Sequence, residues 1–142
     1  MTTIALEACG LEKRFGDLVA VKGLSLEVHE GEVFGFLGPN GAGKTTSISM
    51  MCGILRPDRG QTLLQGRVID AGSHDVRSRV GVCPQEIVIW KDLEVLEQLL
   101  FVGEMYEVPK KDCRHRASEL LELLGLADRA NQLAATLSGG MK

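Results

Sequence analysis

The chain has 142 residues, 44% of them hydrophobic and 25% charged, which is ordinary globular usage with enough length for one domain with a real core. Aromatics make up only 4%, so aliphatic side chains must fill that core. A net charge of −3 argues against a mainly electrostatic nucleic-acid binder, and no nucleic acid is expected as a partner. Cys9, Cys52, Cys83 and Cys113 are scattered without a C-x-x-C pair, a spacing that fits reduced thiols better than a disulfide framework or a zinc site. No signal-peptide pattern opens the chain and no apolar run approaches a membrane span, which is the pattern of a soluble cytoplasmic protein.

In chain order, the first half reads as strands broken by glycine turns. Residues Leu24 to Val28 alternate apolar and polar side chains, as a half-buried strand does. Val33 to Gly38, "VFGFLG", is apolar on both faces and predicts a central parallel strand. Ile48, Met51, Cys52 and Leu55 then fall on one face of a helix that Pro57 stops, and "PDRG" turns the chain into a short strand, "QTLLQ". "RVGVCPQ" predicts a further strand closed by Pro84.

Beyond Gln85 the texture becomes helical. Val95, Leu99, Val102 and Tyr106 share one helical face, and Ala117, Leu120, Leu121 and Leu124 share another. Gly125 stands where a helix C-cap is wanted. The expected organisation is a β-rich part over residues 1–86 and a helical subdomain over residues 87–142.

The stretch Gly38-Pro39-Asn40-Gly41-Ala42-Gly43-Lys44-Thr45 fits G-x-x-x-x-G-K-[ST] between a predicted buried strand and a predicted helix, the context that this phosphate-binding loop requires. Its glycines let the backbone turn its N–H groups inward where a Cβ would block a phosphate, and the positive end of the next helix faces the same spot. Lys44 would place an ammonium on the outer phosphates, and the Thr45 hydroxyl is a candidate ligand of Mg²⁺. The alternative is a glycine-rich turn with a solvated lysine. No N-K-x-D motif occurs, which disfavours a GTPase, while a small-molecule kinase stays open on the loop alone.

Three motifs in order, "GPNGAGKTT", "VGVCPQE" and "LSGG", with a helical stretch before the last, resemble the ATP-binding cassette (ABC) ATPases over the whole chain. The opening "KRFGDLVAVKGLSLEVHEGEVFGFLGPNGAGKTT" is similar to that of export-type cassettes. The resemblance implies an α/β fold: a P-loop NTPase core of ABC type with an N-terminal antiparallel β subdomain and a helical subdomain. It implies ATP and Mg²⁺ as ligands, held by Gly38 to Thr46. Phe15 matches the aromatic that stacks on adenine, although a lone phenylalanine there is equally a core residue. Gln85 matches a glutamine that helps coordinate Mg²⁺ and position the attacking water, at the hinge into the helical subdomain; without the family it reads as a turn residue. Ser138, Gly139 and Gly140 match a signature loop that binds the γ-phosphate held by an opposite subunit, so that two cassettes sandwich two ATPs. By itself "SGG" is a turn more often than a site.

The resemblance also has departures. Met141 stands where the commonest signature has Gln, and Glu94 stands where relatives often place a Thr cap, leaving Asp92 as a possible substitute beside Glu97. The family's Mg²⁺-binding Asp, catalytic Glu and switch His are expected beyond the signature; His29, His74 and His115 lie too early to serve. The chain therefore resembles the N-terminal part of a cassette, incomplete at the C-terminus, whose 142 residues are expected to be inactive in hydrolysis. The implied function is the ATP-binding subunit of an ABC transporter, coupling ATP binding and hydrolysis to export across a membrane. Its implied partners are a membrane-spanning subunit and a second cassette, with the protein peripheral on the cytoplasmic face of the cell membrane. Trp90 with Ile87, Val88 and Ile89 forms an apolar patch that either docks the membrane subunit or closes the subdomain's own core. The alternatives are a soluble ABC-type ATPase acting on ribosomes or DNA, and a nucleotide-binding module without catalysis.

Overall fold

The computed structural model of the chain describes residues 3–71, 76, 79–83 and 89–141. The chain divides into two compact units, Met1–Val82 and Cys83–Lys142.

The first unit is built on a hairpin of β1 (Ile4–Phe15) and β2 (Leu18–His29), joined by the two-residue turn Gly16-Asp17. Strict alternation along β1 would put Ala8 and Leu11 on opposite faces. Instead the register runs from Ala8↔Leu26 to Leu11↔Leu24, so two residues of β1 oppose one of β2. Gly10 takes φ 58 in this bulge, and its N–H donates to Ser25 Oγ at 2.9 Å, so the interrupted ladder leaves no stranded donor there. The bulge brings both Ala8 and Leu11 into the core, at 2% and 0% exposure.

On the other edge of β1 lie β3 (Arg59–Leu64) and then β4 (Arg67–Val68), completing an antiparallel sheet of order β2-β1-β3-β4. The predicted strand at Leu24–Val28 falls within β2, and "QTLLQ" falls within β3 except for Gln65, which lies in the turn at φ 49. Helix α1 (Lys44–Met51) packs on β1 and β2, and Met50 and Met51 close a core with Ala8, Leu11 and Val21. Each aliphatic side chain sealed there contributes about 1.5–3 kcal/mol relative to exposure.

Three expectations for residues 33–85 need correction. The segment from Val33 to Gly38 is not a strand: Val33 is 99% and Leu37 94% exposed, and Phe34 is also exposed. A strand needs a ladder partner, and no named strand of the described residues pairs with this segment. Residues 80–83 of "RVGVCPQ" are likewise in no strand, while Pro84 and Gln85 lie outside the described residues. Finally, α1 does not run to Leu55. It ends at Met51 because Gly53, with φ 67, closes a left-handed cap: Ile54 N–H reaches Ser49 O at 2.9 Å and Gly53 N–H reaches Met50 O at 3.1 Å. Its buried stripe is Ser47, Met50 and Met51, leaving Ile48 exposed.

The second unit holds α2 (Val95–Met105), α3 (Lys110–Leu123) and three single 3₁₀ turns at Ala127–Arg129, Ala134–Thr136 and Gly139–Met141. Val95, Leu121, Leu126 and Leu137 form its core, with Leu96, Leu99, Ala130 and Met141 packed around them. The predicted stripes are partly rotated. Val95 and Leu99 face inward, but Val102 and Tyr106 are exposed; on α3 it is Cys113, Ala117 and Leu121 that are buried, with Leu120 and Leu124 outside.

Glu94 is itself the N-cap residue of α2, and the Glu97 carboxylate accepts its N–H at 2.9 Å, so Asp92 does not take that place. The next two N–H groups, which no intrahelical carbonyl can reach, donate to a neighbouring segment: Val95 to Gln132 O at 3.0 Å and Leu96 to Ala130 O at 2.9 Å. Gly125 does cap α3 as predicted, with φ 67 and the paired bonds Leu126 N–H to Leu121 O at 2.7 Å and Gly125 N–H to Glu122 O at 3.0 Å. Among the described residues no helix is long and apolar enough to cross a membrane.

Candidate nucleotide-binding site

The loop Gly38–Gly43 runs directly into α1, whose first residue is Lys44. Gly41 and Gly43 take φ 82 and 79, conformations in which an L side chain is strained. Gly43 has a second constraint: a Cβ there would lie 2.2 Å from Ala20 O of β2 and 3.3 Å from the Val21 side chain. The loop is therefore seated on the edge of β2 through a point where only glycine fits. That seat also fixes where α1 starts, and with it the face, Ser47, Met50 and Met51, that turns toward the sheet.

The Lys44 side chain folds back across the loop, its Nζ donating to Gly38 O at 2.8 Å and to Pro39 O at 2.7 Å. The ammonium is thus held within the turn by carbonyls at the loop's start, with a third donor left over. Ser47 N–H already bonds Gly43 O at 2.8 Å, whereas the geometry of a helix start leaves the N–H groups of Lys44, Thr45 and Thr46 without an intrahelical acceptor. Those three donors, the Lys44 charge and the helix dipole converge on the type of ligand that a phosphate chain is. Asn40, Gly41 and Ala42 stand exposed around the opening, and Thr45 is exposed on the first turn.

A divalent cation fits this arrangement only as a companion of the nucleotide. Among the described residues no cluster of three or more His, Cys, Asp or Glu could hold a metal, so Thr45 would supply a single neutral oxygen. Mg²⁺ commonly takes the rest of its shell from phosphate oxygens and water.

Phe15 ends β1 at the hairpin tip and is 51% exposed, which rules out the core reading for this side chain. Lys13 Nζ lies 5.8 Å from its ring centroid. The same ammonium donates to Arg56 O and to Asp58 Oδ1, each at 2.8 Å, while Asp58 Oδ2 accepts the Arg14 N–H at 2.7 Å. These bonds hold the Asp58 carboxyl below its ordinary pKa, the Lys13 hydrogen bond first and the Arg14 N–H second. The sequence assigns Asp58 only to a turn and Lys13 to nothing. The signal that could have found them is Lys13 two residues before Phe15 on one strand face.

In the second unit Leu137 is buried and Met141 packs against the same core, while Ser138, Gly139 and Gly140 between them are exposed. Met141 thus acts as an apolar anchor for the turn. Trp90 stacks edge-on against Phe101 with ring centroids 5.0 Å apart and is 39% exposed, so it has both a packed and an open side. Gln85, Ile87 and Val88 lie outside the described residues.

Residues 21–142 match the ABC transporter family. The chain belongs to that family. It is 42% identical over 137 residues to the linearmycin resistance ATP-binding protein LnrL of Bacillus subtilis, covering 96% of this chain and 44% of that protein. To the Nod factor export ATP-binding protein I of Ralstonia nicotianae it is 42% identical over 141 residues, covering 99% of this chain and 44% of the relative. Among solved structures it superposes on an ATP-binding cassette of an ABC transporter in its ADP conformation with a TM-score of 0.79 and 28% identity, covering 99% of this chain and 61% of that one. The ATP-binding subunit of another ABC transporter gives a TM-score of 0.81 at 26% identity, with 96% and 57% covered. The fold is that of an ABC cassette, with the N-terminal antiparallel sheet and the helical part both represented. The chain spans less than half the length of the two curated relatives.

Proposed function

We propose that this ABC-family chain is the N-terminal part of an ATP-binding subunit that couples ATP binding and hydrolysis to export across a membrane. The observation that carries the reading is the Gly38–Thr46 loop, with Lys44 drawn into its mouth and three N–H groups presented at the start of α1. The export direction rests on similarity to a Nod factor export protein and to LnrL. In this reading Lys44 neutralises the outer phosphates, the backbone N–H groups of Lys44 to Thr46 bond the phosphate oxygens, and Thr45 gives one oxygen to Mg²⁺. The ion, when bound, spreads the negative charge that builds between the phosphates. Phe15 offers its open face to adenine, and Gln85 positions the attacking water at the hinge between residues 1–86 and 87–142.

The exposed Ser138-Gly139-Gly140 loop donates to the γ-phosphate of a second cassette, and the open side of Trp90 with Ile89 belongs to the surface that meets the membrane subunit. The protein thereby sits on the cytoplasmic face of the membrane through its partner. The test is Lys44→Ala in the full-length protein, titrated with a fluorescent ATP analogue. Losing a charge-assisted contact should cost about 1.5–3 kcal/mol, or about ten- to 150-fold in affinity. Equal affinities would remove Lys44 from the site and the reading with it.

A further inference from the structure

We propose that Asp58 and Lys13 form a brace that sets the position of the Phe15 ring, making them positioning residues for recognition of the nucleotide base. This rests on the reading of Phe15 as the base platform. The case begins with how β1 ends. Its pairing with β3 stops at Glu12↔Arg59, so Lys13, Arg14 and Phe15 run past that neighbour and keep only the hairpin partner β2. A two-residue turn at a sheet corner, held on one side, would let the ring wander. The Asp58 carboxylate takes over where the ladder stops: Oδ2 accepts the Arg14 N–H at 2.7 Å and Oδ1 accepts from Lys13 Nζ at 2.8 Å. Asp58 is itself fixed, because its own N–H donates to Glu12 O at 2.9 Å.

Lys13 carries the brace to the ring. Its side chain is only 14% exposed, unusual for a lysine, and its ammonium is held by Asp58, Arg56 O and the Phe15 face at 5.8 Å. A cation on one side of the ring leaves the other side open to a flat π system, and half of the phenylalanine is exposed. Asp58 also lies on the segment that leaves α1, the helix whose N-terminus forms the phosphate cradle. The brace therefore joins the base platform to the chain segment that follows that helix.

The brace should matter to the base and not to the phosphates. The experiment measures the affinities of full-length wild-type, Asp58→Asn, Lys13→Met, Phe15→Ala and Phe15→Ala/Asp58→Asn proteins for ATP and for inorganic tripolyphosphate. Asp58→Asn and Lys13→Met should each weaken ATP about two- to fivefold, the range of an exposed cation–π contact, with tripolyphosphate unchanged. Asp58→Asn should add nothing once Phe15 is alanine, because the brace then has no ring to place. Three results overturn the proposal while sparing the base platform: unchanged ATP affinity in both single variants, equal losses for ATP and tripolyphosphate, or an additive double variant. Unchanged ATP affinity in Phe15→Ala overturns the platform and the brace together.

Discussion

Alanine substituted at Gly38, Gly41 and Gly43 should cost three different amounts of folding stability, although all three glycines belong to one motif. At Gly38 a Cβ would rest 3.7 Å from Ala42 Cβ and 3.8 Å from Lys44 Cδ, which are ordinary contacts, so the change should stay within about 0.5 kcal/mol. At Gly41 the φ of 82 forces alanine into the left-handed region at about 1–2 kcal/mol, with no atom within 4 Å to add to it. Gly43 has the same backbone cost and, in addition, a Cβ 2.2 Å from Ala20 O. Ala20 lies between Val19 and Val21, both paired to β1, so it cannot step aside without disturbing the hairpin. Overpacking of that kind adds about 1–3 kcal/mol, for a total of about 2–5 kcal/mol. Urea unfolding of the three full-length variants measures the series through the midpoint at constant slope. Equal costs at Gly41 and Gly43 would mean that the loop is not seated on β2, and the account of why α1 starts and faces as it does would fall.

Two further outcomes follow from single residues. Glu107 sits at φ 57 in the cap that ends α2, where Val108 N–H reaches Gly103 O at 2.9 Å, the place that Gly53 and Gly125 occupy after α1 and α3. Glu107→Gly should therefore be more stable than Glu107→Ala, which loses the same side chain, by about 0.5–1 kcal/mol, the left-handed strain avoided less the extra chain entropy of glycine, and a lower urea midpoint for the glycine variant would contradict it. Asp58 has its pKa lowered by Lys13 and Arg14, so its contribution is present above the unfolded carboxylate pKa and is lost as pH falls through the lower folded value. Thermal melts between neutral and acid pH should show Asp58→Asn nearer to wild type as pH drops, and a constant gap at every pH would show that the charge is not what Asp58 contributes.

The candidate phosphate loop was more legible in the sequence than the elements that carry it. The P-loop could be read because its chemistry is local: eight consecutive residues specify turn, charge and helix start together. Gly125 was legible for the same reason. The hairpin was not, because Gly10 interrupts the alternation of β1 and the polar run Glu12-Lys13-Arg14 hides its end, although Gly16-Asp17 between Phe15 and Leu18 is a two-residue turn signal. The length of α1 was misjudged because Pro57 is the louder stop, whereas Gly53 ends the helix with two backbone bonds. Stripe positions on α1 and α3 depend on which face meets a neighbour, and periodicity alone leaves that rotation open by one residue in either direction. Asp58 was invisible as anything but a turn residue, since its partners Lys13 and Arg14 are more than forty positions away.

The segment from Val33 to Leu37 is where sequence and structure disagree most, and the disagreement has a physical content. Its residues are apolar on both faces, the pattern of a strand with neighbours on each side and layers above and below. In the described residues it has no paired neighbour, and Val33 and Leu37 are 99% and 94% exposed. Leaving those two side chains in water forgoes about 1.5–3 kcal/mol each, and unpaired N–H and C=O groups along an apolar edge invite association with other chains. A pattern kept at that expense points to pairing with residues outside 1–142, for which the curated relatives, more than twice as long as their matched part, have room. Hydrogen exchange decides the matter. The amides of residues 33–37 should exchange at once in a chain of residues 1–142 and be strongly protected in the full-length protein. Protection in the short chain would show that the segment orders itself without a neighbour, and rapid exchange in the long one would show that its two apolar faces are not a strand's faces at all.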